Sequence, residues 1–523
     1  MSEQNVFFII PPSPELEAKI IRTKEHIRSR KSLPAQSTPE LLEQKSFEQI
    51  MSVSKKTSSS AFVLKTSELY PVTGEKKILV LLVDFPDKPA QKNQDYFNKL
   101  LFSIKKETKG SMRDYFREVS YNQLDLIGTV SGSGGPVQGW YRAQNPKTYY
   151  TNKKYGKGDY PQNAQKLVEE VIAMASANIN FAEFDNDGDK IVDALIVITA
   201  GVGAEYSGQT IDFWAHMGDI SPVTLNGVTI KHYFIGPEEG RIGVMSHELG
   251  HLLMKYPELY DTDYGSRGTG NWDLMGGGSW NNGGETPAHP TAWCKVKSGW
   301  IKPVTIFNDE QIVTIPPYAK NPVGYKLPVG NVDSKEYFLL SNRKQTGFDK
   351  KIPGEGLIIE HCDDNQPDNN DETHYLVNLE QCDGKMDLNE NVNRGDSTDP
   401  FPCPGNDKFT ADSNPNSRAY DGSDTRISVT SIKRVGDNIQ AVINVGGKYI
   451  QKWHDNVTVS RTFATVQSQN AWVYIEPLGW RKISTTSPDG VSNMLILFCE
   501  AMAGNIKVNV YIDAEFVYRV QSA

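Results

Sequence analysis

The sequence predicts an α/β (α+β) domain followed by a β-rich region and a small C-terminal β-sandwich. From residue 71 to about 305, apolar strand-like runs alternate with segments of helical period. Residues 306–447 carry short β-branched runs cut by Pro, Gly, Asn and Asp and are expected to pack on the domain before them, and 448–523 again show strand-like alternation. Residues 1–70 stand apart as a leading segment.

The elements follow in order. Residues 13–32 read as a basic amphipathic helix with Leu16, Ile20, Ile21 and Ile27 on one stripe. A second short helix is expected to start near Thr38-Pro39-Glu40, and the small polar residues 52–60 read as a linker. The apolar run Phe7-Phe8-Ile9-Ile10 stops at Pro11-Pro12, short of the roughly 7–15 residues an export signal needs. Residues 77–85 form a buried-strand run, helices are expected around 96–102, 111–118 and 163–176, and 191–199 is a second apolar strand. Strands follow at 311–315, 356–360, 471–475 and 506–512. Trp453, Trp472 and Trp480 of the last domain read as core residues.

Composition narrows the function. A formal charge of −9, from 64 acidic and 55 basic residues, disfavours a broad phosphate-binding face, so no nucleic-acid partner is expected. No run of about 18 apolar residues predicts a membrane span. None of the five cysteines stands in a Cys-x-x-Cys pair, which argues against a thiolate metal site.

The segment His247-Glu248-Leu249-Gly250-His251 carries the chemistry. Residues four apart on a helix share a face, so His247 and His251 can aim both imidazoles at one ion. Neutral imidazoles suit Zn²⁺. Glu248, one residue round the helix, is placed to act on a metal-activated water rather than to ligate. A third ligand must come from elsewhere, and Pro257 ends the helix so that the chain can return. Glu258 is the first choice and Asp261 the alternative. Met275, followed by Gly276-Gly277-Gly278, resembles the methionine turn beneath the zinc site of metzincin peptidases. Separately, Asp185, Asp187, Asp189 and Asp193 occupy loop positions that can wrap Ca²⁺. Lys190 stands where glycine is usual and Ile196 where a bidentate Glu would close an EF-hand, so this is not one.

These blocks together resemble the immune inhibitor A-type metallopeptidases of bacteria. The resemblance also rests on residues 110–120, 272–280, 287–293, 336–340 and 393–401, and on the start of the leader at 11–16. It implies a metzincin-like zinc peptidase domain, an extended protein or peptide substrate, an inhibitory leader, calcium and an extracellular location. The chain departs from the family pattern at Met254, where glycine is usual, and by one extra residue before Pro257. A rival reading is a catalytically silent binding or adhesion protein that keeps its metal for stability. Those two departures favour it, and the retained Glu248 opposes it.

Overall fold

The computed structural model describes residues 8–20, 22, 69–133, 135, 137–307, 310–446, 452–465, 470–484, 488–512 and 516–523. The expected linker at 52–60, the helix near 38–40 and most of the second half of the 13–32 helix lie outside them. Among the described residues the leading helix runs over 14–20. The chain divides into two compact units, 1–303 with 316–324 and 339–400, and 304–315 with 325–338 and 401–523.

The first unit is built on a seven-stranded mixed sheet. Its strands are β1 (Phe8–Ile9), β2 (Gly74–Asp84), β3 (Leu124–Ser131), β4 (Tyr141–Arg142), β5 (Leu195–Thr199), β6 (His216–Leu225) and β7 (Val228–Pro237). The order is β1-β6-β7-β5-β2-β3, with β4 also paired to β2. β7, β5, β2 and β3 run parallel to one another, and residues 195–198 of β5 and 78–83 of β2 are apolar and buried throughout, as strands covered on both faces must be. β6 pairs antiparallel with β7, and β1 antiparallel with β6. The leader therefore supplies an edge strand of the sheet.

Helices α1 (Gln94–Phe102), α2 (Met112–Val119), α3 (Ala164–Ala175) and α4 (Ile242–Met254) accompany the sheet. Each of the first three starts where the sequence offers a cap. Asn93 accepts from Tyr96 N–H, Asn163 from Lys166 N–H, and Ser111 forms a reciprocal capping box with Asp114. All thirteen residues of α4 are buried, so its polar side chains need internal partners. The loop 270–280 lies directly against it. A Cβ at Gly243 would fall 2.0 Å from the Ser279 carbonyl oxygen, and one at Gly250 2.9 Å from the Met275 sulfur. Trp272 of that loop packs with Ala288, Ile352, Ile358, Leu379 and Leu388, which brings residues well beyond 305 into the same core.

Beyond the first sheet come β8 (Val304–Thr305), β9 (Gln311–Ile315), β10 (Tyr325–Pro328), β11 (Glu336–Arg343), β12 (Gly356–Asp363) and β13 (Val377–Leu379), and in the second unit β9, β14 (Ile427–Val435) and β15 (Asn438–Val445) form a three-stranded antiparallel sheet. The C-terminal strands β16 (Lys452–Ala464), β17 (Ala471–Glu476), β18 (Gly479–Ile483), β19 (Val508–Ile512) and β20 (Phe516–Ser522) close into a barrel. This corrects the expected sandwich. β16 is thirteen residues long and bulged between Val459 and Arg461, so it bends and pairs with β19 by one half and β17 by the other. A parallel pairing of β18 with β20 completes the closure. A helix over Pro488–Gly504, which the sequence reading did not predict, joins β18 to β19 and fills the barrel end with Val491, Phe498 and Ala501. The tryptophans are corrected as well. Trp453 and Trp480 are exposed and Trp472 is half-buried, while Ala471, Val473 and Ile475 point into the core.

Candidate metal centre

α4 presents His247 and His251 one turn apart, both buried. Each imidazole is oriented from behind. His247 Nδ1 lies 2.9 Å from the Leu274 carbonyl oxygen, and His251 Nδ1 2.6 Å from that of Tyr256. A ring nitrogen facing a carbonyl must carry the hydrogen, so both Nε2 atoms are left with lone pairs. Those lone pairs face one another across 3.2 Å. Glu258 completes the group, with Oε2 3.2 Å from His247 Nε2 and Oε1 3.1 Å from His251 Nε2.

This arrangement holds no proton donor at its centre. With both Nδ1 hydrogens directed to carbonyls, the buried Glu258 oxygens are left without a hydrogen-bond partner. Two imidazole lone pairs and a carboxylate converging in a buried space repel unless a cation lies between them. Two neutral imidazoles and one carboxylate are the donor set of catalytic zinc sites. The residues therefore fit the metal.

The route of the chain to Glu258 accounts for the two departures in the motif. The helix continues through Met254, and Lys255 takes the left-handed conformation at φ 59° that glycine would adopt more easily. The Lys255 N–H closes onto the Gly250 and His251 carbonyls. Tyr256 then turns its carbonyl to His251, and Pro257 leads into Glu258. The extra residue is thus absorbed in the helix end. Asp261 lies apart from the two histidines. Its carboxylate accepts the N–H groups of Asp263 and Ser266 and gathers with Asp263 and Glu372.

Glu248 is fully buried beside this group, and burial holds its carboxyl well above the ordinary range. Met275 lies in a buried turn stitched by Gly276 and Gly278 N–H groups to the Asp273 carbonyl. Its own carbonyl accepts the Leu259 N–H, so one turn supports both His247, through Leu274, and the segment that carries Glu258. Of the acidic loop, Asp185, Asp187 and Asp193 come together, whereas Asp189 is not in that group. Asp185 accepts the N–H groups of Gly188 and Lys190, and Lys190 has φ 67°, the left-handed backbone that its position demanded.

The sequence reading missed the cleft that the leader fills. Phe8 stacks on His251 with ring centroids 4.7 Å apart. Three consecutive leader carbonyls are then met by side-chain donors. Tyr260 Oη donates to Ile9 at 2.5 Å, Trp214 Nε1 to Ile10 at 2.9 Å and Trp280 Nε1 to Pro11 at 2.8 Å. Burial, then Glu258, pushes the Tyr260 phenol well up, so it stays a donor. The Ser13 N–H donates to the Glu205 carbonyl, and Glu17 is ion-paired to both Arg267 and Arg394.

Residues 68–305 match the family described as "Immune inhibitor A peptidase M6, catalytic domain". This segment belongs to the immune inhibitor A peptidase family. The immune inhibitor A-type domain carries the histidine pair, Glu258 and the methionine turn. The chain is 30% identical over 277 residues to "Pre-pro-metalloprotease PrtV" of Vibrio cholerae, a match covering 42% of this chain and 29% of that protein. It is 27% identical over 256 residues to "Immune inhibitor A" of Bacillus thuringiensis subsp. alesti, covering 39% and 36% respectively. It thus spans only about a third of the length of these relatives.

Proposed function

We propose that the chain is a zinc-dependent endopeptidase acting on extended segments of protein substrates. The carrying observation is the donor set itself: two buried imidazoles with both Nδ1 atoms directed to carbonyls, and a carboxylate that no hydrogen satisfies. Zinc held by His247, His251 and Glu258 would supply Lewis-acid polarisation and bring the pKa of bound water toward about 7. Glu248, on the same helix, takes up a proton and returns it to the leaving nitrogen.

Substrate selection follows from the sheet. β6 is the strand on which an extended peptide can add, as β1 does. Tyr260, Trp214 and Trp280 read carbonyls rather than side chains, so they orient any extended chain laid along that edge. In the intact chain, residues 8–17 hold this position, and we infer that the enzyme is latent until they leave. The family resemblance and the pro-form named in the Vibrio cholerae relative agree with this and with an extracellular site of action.

The test compares the chain, after limited trypsin nicking of the leader and dialysis that removes the freed segment carrying residues 8–17, with its Glu248→Ala variant treated in the same way. Metal content and casein digestion are measured together. Glu248→Ala is expected to keep the metal and the fold while losing about 10²–10⁴-fold in turnover. Activity within a few-fold of wild type would sink the mechanism.

A further inference from the structure

We propose that the C-terminal barrel is a binding module for single-stranded nucleic acid, which it takes on the outer face of β16, β17 and β18. This inference is independent of the peptidase reading. Its first support is topology. The strand order β16-β17-β18-β20-β19, the helix between the third and fourth strands, and a long first strand shared by both halves are the order of the OB-fold. In that fold the face of the second and third strands receives oligonucleotides or oligosaccharides.

The second support is what stands on that face. The register sets two rungs across the strands, Phe463–Trp472–Lys482 and Arg461–Tyr474–Trp480. The alternation places all six outward, since Val473 and Ile475 between them are in the core. Phe463 is 53% exposed and Trp480 42%, unusual for rings of that size on a stable barrel. Each exposed ring has a cation two residues away on its own strand, Arg461 beside Phe463 and Lys482 beside Trp480. Two strand residues span roughly 6.6–6.8 Å. A flat face with a positive charge at that distance, occurring twice, matches a nucleotide, which carries a base and one phosphate negative charge. Arg461 already lies over the Tyr474 ring, 5.7 Å from its centroid, so guanidinium and aromatic surfaces are contiguous there.

Charge permits this locally although the whole chain opposes it. Residues 452–523 hold six basic and six acidic side chains, so the net charge of −9 falls outside the barrel. A neutral glycan would use the rings and leave both cations idle, so a strand that offers bases and phosphates together fits the face better. Stacking and two cations read no base edge, and the binding is expected to be sequence-tolerant.

The experiment uses the full chain and a fluorescein-labelled 12-nucleotide single-stranded DNA, followed by anisotropy across a salt series. Saturable binding that weakens with salt is expected. Trp480→Ala and Phe463→Ala should each weaken it by roughly 5- to 150-fold, and Trp480→Phe should restore most of the loss. Lys482→Gln should reduce the slope of log affinity against log salt by about 0.7. Thermal melts of each variant confirm that the barrel is folded. Three results would overturn the proposal: no saturable binding by the wild type, unchanged affinity in a folded Trp480→Ala variant, or equal competition by a neutral or a sulfated hexasaccharide.

Discussion

At the scale of single residues, the grouping of His247 and His251 at the candidate metal centre was legible. His247, Glu248 and His251 are read from one helical turn, because a four-residue spacing fixes which side chains share a face. Glu258 was harder, since its approach depends on Lys255 accepting a left-handed backbone that no periodicity announces. Measured metal content separates the candidates. Glu258→Ala is expected to lose zinc, as it removes one of three ligands, whereas Asp261→Ala should retain it, because that carboxylate serves the turn to Ser266. Retention of zinc and activity by Glu258→Ala would refute this ligand set. The donors of the cleft left no such trace. Trp214, Trp280 and Tyr260 come from three separate segments, and only the folded sheet aligns their hydrogens on consecutive carbonyls.

At the scale of elements, buried strands and capped helices were readable and the leader was not. Its apolar run over Phe8–Ile10 is too short for an export signal and carries no period of its own, yet it forms a strand because β6 offers an unpaired edge to fill. The seat is fastened at its far end by Glu17, buried between Arg267 and Arg394. Replacing Glu17 by Gln removes the charge and leaves two guanidinium groups without it. Breaking one partner of a buried pair commonly costs about 3–5 kcal/mol. The full chain carrying Glu17→Gln is therefore expected to show raised basal peptidase activity, read as the rate on an unfolded substrate. A rate equal to that of the intact wild type would mean that residues 8–17 do not restrain the enzyme. The acidic loop gives a further prediction. We propose calcium at Asp185, Asp187 and Asp193, which a melting curve tests: at a hundredfold excess over Kd, binding adds about 2.7 kcal/mol to the native state. A melting temperature indifferent to calcium, with zinc present, would count against it.

At the scale of the molecule, the alternation of strand and helix signalled the first unit, and the β-rich region was expected to pack on it, while which of its residues join the same unit was hidden. Residues 339–400 belong to it because Ile352, Ile358, Leu379 and Leu388 pack on Trp272, a long-range contact that no local pattern encodes. The barrel was misread as a sandwich because two-residue alternation is common to both; closure depends on the bulge in β16 and on the parallel pair β18–β20. Two units with separate cores should melt separately. Calorimetry of the full chain is expected to show two transitions, only one of which falls when a strong chelator removes the metal proposed at His247, His251 and Glu258. A single transition that moves as a whole would show that the units unfold together.

The fastening of the leader has a further consequence. Tyr260, Trp214, Trp280, Arg267 and Arg394 hold residues 9–17 without a covalent bond. A cut that separates the strap from the rest of the chain therefore leaves these contacts in place and changes only the strap's effective concentration, from an intramolecular value, of about millimolar order, to that of the free peptide. Activation then becomes a dilution process: a nicked enzyme kept concentrated stays silent, and the same enzyme spreading into a large volume wakes as its strap is lost.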